Sequence, residues 1–600
     1  MPDTASVSST VLQAVGLSVA IVGTDITVVE PTSFSLAAGE ILGLVGESGS
    51  GKTTLGLALL AHHRRGLRLA GGQVLIGGQD LLKIPRSQLP TRRRRLIRYV
   101  PQNPGTALNP GLTVGTQLAE CFEHPPSSGE DHLLALLEDV KLPATPALLR
   151  AYPHQLSGGQ QQRVAIAMAF AEHPTVIVMD EPTTGLDVTT QAHVLQTVRQ
   201  LCERHAVASV YVSHDLAVVA SLAHRVAVMY SGRVVELGPT GRVLRQPSHP
   251  YTRALIEAVP DLDRRTVITG IAGAAPEPVR RPRGCAFAPR CSFAIEACRV
   301  ETPLLETIEP GHQVACLRPA SGKSTPALPI SALVPGISEL PALDVRNVSA
   351  RYGAKPILHG ANFGVPARSC VALVGESGSG KTTLGKIVAG LHHEWDGDIL
   401  LGGVPLAHRA AQRSAEQRRH VQYIFQNPYS SFNPRRRIGA SIAMAVRVFE
   451  SPPASELRRR VAAALDMVAL PREAANRYPH QLSGGQRQRA AIARALITGP
   501  KILVCDEITS ALDVSVQAVI VRLLADLQEQ HGLSLLFITH NLALVRSIAR
   551  HVLVMHGGRI IESEPVDDVL DAPQHEQTRR LLSDAPRFST SPVALDVNER

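Results

Sequence analysis

Ile41-Leu-Gly-Leu-Val-Gly-Glu-Ser-Gly-Ser-Gly-Lys-Thr-Thr54 is a short aliphatic run that breaks into glycines and then into a lysine and two threonines. An apolar run with little alternation suits a strand in a mostly parallel sheet covered on both faces. The pattern Gly-x-x-x-x-Gly-Lys-Thr follows it from Gly46 to Thr53. Glycines reach the positive φ values that turn successive N–H groups inward around a phosphate. A helix N-terminus beyond them adds partial positive charge, Lys52 reaches the β/γ-phosphates, and Thr53 can ligate Mg²⁺. The stretch therefore predicts an α/β fold with a triphosphate site.

The same words return downstream. Gly375-Glu-Ser-Gly-Ser-Gly-Lys-Thr-Thr383 repeats the loop, and Tyr152-Pro-His-Gln-Leu-Ser-Gly-Gly-Gln160 recurs as Tyr478 to Gln486. Order and spacing are nearly preserved, so the chain is a duplication. The aliphatic runs Val176–Met179, Val210–Val212, Val371–Val374, Ile502–Cys505 and Leu535–Ile538 read as further strands. His132 to Val140 and Glu456 to Val468 place apolar residues at helical intervals, so each module carries a helical insertion. Between the modules, residues 319–341 are rich in Pro, Ser and Ala and read as a semi-extended tether.

Length and composition agree with several soluble units. The chain has 600 residues, 44% hydrophobic and 19% charged, which excludes wholesale disorder. No run is long and apolar enough to span a membrane, and the start lacks a basic-then-apolar leader, which places the chain in the cytoplasm. The net charge of +9 suits nucleic acid, nucleotide phosphates or an anionic membrane face alike. Arg92 to Arg95, with Arg98 nearby, read as a solvated face. Eight cysteines are too few for a disulfide scaffold.

Each downstream strand ends in paired carboxylates, Asp180-Glu181 and Asp506-Glu507. Four apolar residues precede each pair, which puts it at the carboxyl end of the sheet, where open α/β folds bind ligands. The first carboxylate suits the Mg²⁺ shell and the second suits an attacking water.

Leu156-Ser-Gly-Gly-Gln160 and Leu482-Ser-Gly-Gly-Gln486 resemble the signature of the ATP-binding-cassette (ABC) family. The resemblance implies an α/β fold of tandem P-loop NTPase modules, residues 11–260 and 342–585, each with a helical subdomain. A small Cys-rich extension, 261–318, follows the first, and a flexible tail, 586–600, ends the chain.

The resemblance also implies an ATPase whose halves pack head to tail within one chain. Gly46, Ser48, Gly49, Gly51, Lys52, Thr53 and Thr54 would bind one ATP with Gln102, and Ser483, Gly485 and Gln486 would face it from the other half. Gly375, Ser377, Gly378, Gly380, Lys381, Thr382, Thr383, Gln426 and Tyr352 would bind the second, opposite Ser157, Gly159 and Gln160. Mg²⁺ would lie on Thr53, Gln102 and Asp180, and on Thr382, Gln426 and Asp506. Glu181 and Glu507 would be catalytic with the switch histidines His214 and His540, and Asp187 and Asp513 would link the two sites.

Flanking motifs narrow the resemblance. Gln102-Asn-Pro to Asn109-Pro110, Gln426-Asn-Pro to Asn433-Pro434, and Ser248-His-Pro-Tyr-Thr252 look like oligopeptide and dipeptide importer ATPases. His575-Glu-Gln-Thr578 is a degenerate counterpart of the last. That subfamily often carries a cysteine-rich extension like Gly284-Cys-Ala-Phe-Ala-Pro-Arg-Cys291. The resemblance implies a [4Fe-4S] site at Cys285, Cys291, Cys298 and Cys316. Their spacing lacks the Cys-x-x-Cys knuckles typical of structural zinc; zinc and four reduced thiols stay open as alternatives. Cys202 and Cys505 read as core residues.

The implied partners are two integral-membrane permeases and an extracytoplasmic binding protein, with one copy of the chain peripheral on the cytoplasmic face of the inner membrane. The cargo is a di- or oligopeptide, or alternatively nickel, glutathione or another small solute. Tandem cassettes also serve ribosomes and DNA repair, but translation factors join theirs by a charged helical connector and repair enzymes insert zinc modules. A proline-rich tether fits neither, so no nucleic-acid partner is expected.

Family members stack adenine on an aromatic residue before the phosphate loop. Tyr352 stands there in the second module and Ile21 in the first. Ring stacking contributes about 0.5–1.5 kcal/mol beyond area burial. ATP is therefore expected to bind more weakly at the first loop, and equal affinities in site-resolved titration would refute this.

Overall fold

The computed structural model describes residues 10–123, 129–266, 268–319, 341–428, 430–510 and 512–588. Of the tether expected at 319–341, residues 320–340 lie outside them, as does most of the tail at 586–600, while Pro341 opens a strand.

Each module is built on a parallel core sheet. In the first, Ile41–Val45 lies between Ala208–Val212 and Arg225–Tyr230, and Val176–Asp180 and Ile97–Val100 follow beyond Ala208–Val212. In the second, Cys370–Gly375 lies between Ser534–Ile538 and His551–His556, and Ile502–Asp506 and Val421–Ile424 complete that side. Every residue of Ile41–Val45, Val176–Asp180 and Ala208–Val212 is buried. Aliphatic runs without alternation therefore belong to central strands, where each buried Val, Leu or Ile contributes roughly 1.5–3 kcal/mol.

A second, antiparallel sheet covers one end of each module. Its longest pairs are Thr10–Ile21 with Thr27–Ala37, and Pro341–Tyr352 with Lys355–Pro366, each at one edge of the sheet. Helices within 114–150 and 438–467 form the insertion on the far side of the core sheet. There Leu118, Leu137, Leu149 and Ile166 share one apolar cluster with Ile41 and Val100.

The arginine run is less free than composition suggests. It lies on the helix Leu89–Leu96, but Arg93 donates to Ala61 O, Arg94 to Phe122 O, and Arg98 to Cys121 O and Glu172. Arg93, Arg94 and Arg98 are half-buried and close carbonyls of neighbouring segments, while Arg92 and Arg95 are exposed.

The two halves differ at one sheet edge. His312–Val314 pairs with Arg233–Pro239 and is paired in turn by Glu306–Glu309, so among the described residues the first core sheet has eight strands and the second six. A buried carboxylate holds this addition. Glu236, fully buried, accepts the Ser248 and His249 N–H groups at 2.8 and 3.0 Å and lies 2.9 Å from His312 Nε2. Satisfying a buried carboxylate with several donors is what makes its burial tolerable.

The halves also share a core. Val188, Ala258, Leu262 and Ile268 of the first pack into the apolar cluster of the second, and Arg265 donates to Ala549 O.

Candidate functional site

The phosphate loop is set by its neighbours. At Gly46 (φ 146°) a Cβ would stand 2.1 Å from Met229 O, and at Gly375 (φ 149°) 2.1 Å from Met555 O, so only glycine fits between strand and helix. Gly51 and Gly380, left-handed, then start the helices Lys52–Leu59 and Lys381–Val388. Lys52 Nζ donates to Gly46 O and Glu47 O at 2.8 and 3.0 Å, and Lys381 Nζ to Gly375 O and Glu376 O at 2.8 and 2.7 Å. Burial pulls both ammonium groups below the ordinary lysine range, against the nearby carboxylates.

The carboxylates arrive from the strand two places away in the core sheet. Thr53 Oγ1 donates to Asp180 Oδ1 at 3.0 Å, and Thr382 Oγ1 to Asp506 Oδ1 at 3.1 Å. A hydroxyl and a carboxylate side by side form the hard oxygen set that suits Mg²⁺. Burial pushes both aspartates up, against the hydrogen bonds they accept.

Glu181 and Glu507 follow in left-handed backbone, φ 48° and 46°. Non-glycine residues held there carry strain that clusters at functional sites. Glu181 accepts from Gln102 Nε2 at 2.8 Å and Thr184 Oγ1 at 3.1 Å, and lies 3.0 Å from His214 Nδ1. Glu507 accepts from Gln426 Nε2 at 2.6 Å and lies 3.6 Å from His540 Nδ1. Burial opposes the charge on Glu181. The hydrogen bond and charge of His214, with the Lys52 ammonium, outweigh it and hold the carboxyl below its ordinary range. Glu507 is lowered in the same way by His540 and Lys381. His214 is raised in return, although its burial works the other way. Gln102 and Gln426, expected among the Mg²⁺ ligands, thus donate to the catalytic candidates.

Ser157 and Ser483 cap the helices Gly158–Phe170 and Gly484–Leu496, each in a reciprocal box with the glutamine three residues on, Gln160 or Gln486. Between the halves, Asp513 uses one carboxylate oxygen to cap its own helix at Val516 N, 3.1 Å. The other accepts the Ser48 N–H of the first phosphate loop at 3.2 Å. Asp187 caps its helix at Thr190 N and acts on the charge of Lys381. Tyr352 ends its strand half-exposed, its ring 4.5 Å from that of His392, and Ile21 ends the corresponding strand.

Two residues escaped the sequence reading. Tyr99 Oη donates to Asp180 Oδ2 at 3.0 Å and Tyr423 Oη to Asp506 Oδ2 at 2.5 Å. Each precedes its glutamine by three residues, Tyr99-Val-Pro-Gln102 and Tyr423-Ile-Phe-Gln426, so aligning the two repeats would have flagged them.

Cys285, Cys291, Cys298 and Cys316 line one small, mostly apolar cavity with His249, Phe287 and Leu317. Gly284 brings the ends together: a Cβ there would stand 2.4 Å from Cys298 O, which accepts the Cys285 N–H at 2.8 Å. Burial and the other three thiols push Cys316 up to about 11. Among the described residues no group of three or more His, Cys, Asp or Glu side chains stands at metal-holding distances. Cys202 and Cys505 are fully buried in the core.

Residues 29–184 and 358–510 match the family model described as ABC transporter, and residues 235–298 match that of the oligopeptide/dipeptide transporter C-terminal region. The chain is 38% identical to the glutathione import ATP-binding protein GsiA of Escherichia coli (strain K12), covering 94% of this chain and 87% of that protein. It is 38% identical to GsiA of Salmonella paratyphi A, covering 96% and 90%. Among solved structures, cbiO1 from Clostridium perfringens, part of an ABC transporter complex, is 27% identical with a TM-score of 0.36, covering 39% of this chain and 92% of that one.

Tyr99→Phe removes a donor to a charged acceptor, an interaction of about 1.5–3 kcal/mol. Half-saturation by Mg²⁺ in ATP turnover should rise about tenfold or more, and an unchanged Mg²⁺ titration would refute a role for the phenol.

Proposed function

The chain belongs to the ABC transporter family of ATP-binding proteins, and from that premise we propose that it drives a membrane importer of short peptides by hydrolysing ATP at two sites shared between its halves. The observation that carries the two-site reading is the Ser48–Asp513 hydrogen bond, which joins the first phosphate loop to the second half. The acidic, amide and imidazole groups gathered at Glu181 and Glu507 support hydrolysis at both.

Lys52 and the loop N–H groups bind the β/γ-phosphates, Thr53 and Asp180 hold Mg²⁺, and Glu181, kept ionised by His214, orients the attacking water. Lys381, Thr382, Asp506, Glu507 and His540 repeat the arrangement. Ser483 and Gly485 complete the first site from across the seam, and Ser157 and Gly159 complete the second. ATP draws the halves together because its phosphates need both, and hydrolysis removes that reason.

The chain works on the cytoplasmic face of the inner membrane with two permeases and an extracytoplasmic binding protein. Among the described residues no helix is long and apolar enough to cross a membrane, in keeping with a peripheral subunit. The C-terminal-region match favours oligopeptides or dipeptides as cargo. The relatives named for glutathione import favour glutathione, itself a tripeptide, as the second reading.

Cys285, Cys291, Cys298 and Cys316 are the residues that would hold a [4Fe-4S] cluster, since all four face one cavity. Bound there, the cluster would supply a cross-link through four thiolates, each thiol releasing its proton to solvent as its sulfur ligates iron. Anaerobically purified protein should be brown, with iron and sulfide that are lost in the four-serine variant. Colourless protein containing zinc would overturn the assignment.

Turnover should fall at least about a hundredfold in Lys52→Ala/Lys381→Ala, the scale of losing a charge-stabilising group. Glu181→Gln and Glu507→Gln, made singly, should each lower it. Full activity in either single variant would exclude hydrolysis at that site.

A further inference from the structure

Glu47, the second residue of the first phosphate loop, is gripped from outside the module. Arg290, in the Gly284–Cys291 segment, donates through Nη1 to Glu47 Oε2 at 2.7 Å and through Nη2 to Oε1 at 2.9 Å. Both side chains are more than nine-tenths buried. A buried bidentate pair is geometrically demanding, and losing one partner leaves an uncompensated charge. The Glu47 N–H donates to Tyr251 Oη at 2.8 Å, so backbone and side chain are both held. Tyr251, Tyr230 and Phe287 pack ring against ring there, and the guanidinium lies 5.7 Å from the Tyr230 ring centre.

Nη1 also donates to Tyr230 Oη at 3.2 Å, and Nε and Nη2 reach a segment that touches the other half. Nε donates to Ala272 O at 2.8 Å and Nη2 to Ile271 O at 3.2 Å. The Ile271 N–H donates to Ser515 Oγ at 3.3 Å, and Gly270 approaches the helix Val514–His531 so closely that a Cβ would stand 2.5 Å from Val519 Cγ2. Asp513, which caps that helix, accepts the N–H of Ser48, next to Glu47. Loop, extension and the head of the second half's helix therefore meet at one junction.

The second loop is built otherwise. The ion-pair contact of Glu376 is His556 Nδ1 at 3.8 Å, with both side chains partly exposed. His556 stands where the first half has Tyr230, one residue after the methionine whose carbonyl closes on the loop glycine. Gln577 stands where the first half has Tyr251, two residues after the capping histidine.

We propose that Arg290 is a positioning residue for the first ATP site: by holding Glu47 it presets that phosphate loop and ties it to the Asp513–Ser515 start of the second half's helix, a linkage without a counterpart at the second site among the described residues. This rests on the two-site reading above. Without Arg290, the Glu47 carboxylate is buried, unpaired and adjacent to the loop that receives the triphosphate, so nucleotide is repelled at that site alone.

The full chain is photolabelled with an azido-ATP, and labelled peptides are assigned to the first or second loop by mass spectrometry. In Arg290→Met, half-saturation at the first loop should rise about tenfold, within the range of couplings between sites, while the second stays within about twofold. Arg290→Lys should fall between, because a point charge cannot span both carboxylate oxygens. Adding Glu47→Gln to Arg290→Met should restore most of the affinity, which damage to the cysteine cavity or to folding would not allow. An unchanged first site, an equal loss at both sites, or no restoration overturns the proposal. Intact labelling and turnover in Lys52→Ala/Lys381→Ala would instead sink the two-site reading itself.

Discussion

The chain must leave a fully buried strand at Val45, circle a space the size of a phosphate and enter a helix at Lys52, and it must do so beneath the Met229 carbonyl. That carbonyl stands where any side chain at Gly46 would begin. The strand Arg225–Tyr230 which supplies it is hydrogen-bonded to Ile41–Val45, so the core sheet itself sets the roof of the loop. Asp180 and Glu181 come from Val176–Asp180, two strands away in the same sheet. Parallel strands all end on one side, which is why the lysine, threonine, aspartate and glutamate converge without any of them being close in sequence.

Duplication preserves this arrangement and then departs from it. The distances around Asp180 and Asp506 agree within half an ångström, because both follow from the same sheet. The surroundings of Glu47 and Glu376 share little. The first is enclosed by aromatic rings and an arginine from the added segment; the second is paired loosely with a histidine. The added segment brings Arg290 over the phosphate loop on its way to the sheet edge, and Tyr230 and Tyr251, where the second half has His556 and Gln577, supply the rings. Two sites of like chemistry thus sit in unlike mechanical settings.

The seam between the halves depends on side chains that serve twice. Asp513 caps a helix with one oxygen and accepts from Ser48 with the other. A capping aspartate is already fixed in direction by its own helix, so crossing the seam costs little further ordering. Movement of that helix is then felt at the loop directly.

Glycine spacing, the buried aliphatic runs and the repeated words were enough by themselves to determine two α/β modules, two phosphate loops and the pairs Asp180-Glu181 and Asp506-Glu507. All of these are local patterns, and the backbone physics behind them acts within a few residues. Tyr99 and Tyr423 were legible too, had the repeats been laid side by side. The solvated reading fits Arg92 and Arg95, which are exposed, and misses Arg93 and Arg94, because a charge run does not reveal which carbonyls lie near. Only the tertiary structure could show that Arg290 reaches Glu47 across 243 positions, or that four cysteines of irregular spacing face one cavity. Such contacts depend on where a segment without a repeat partner is carried by the edge of a sheet, and no periodicity in the sequence encodes that path.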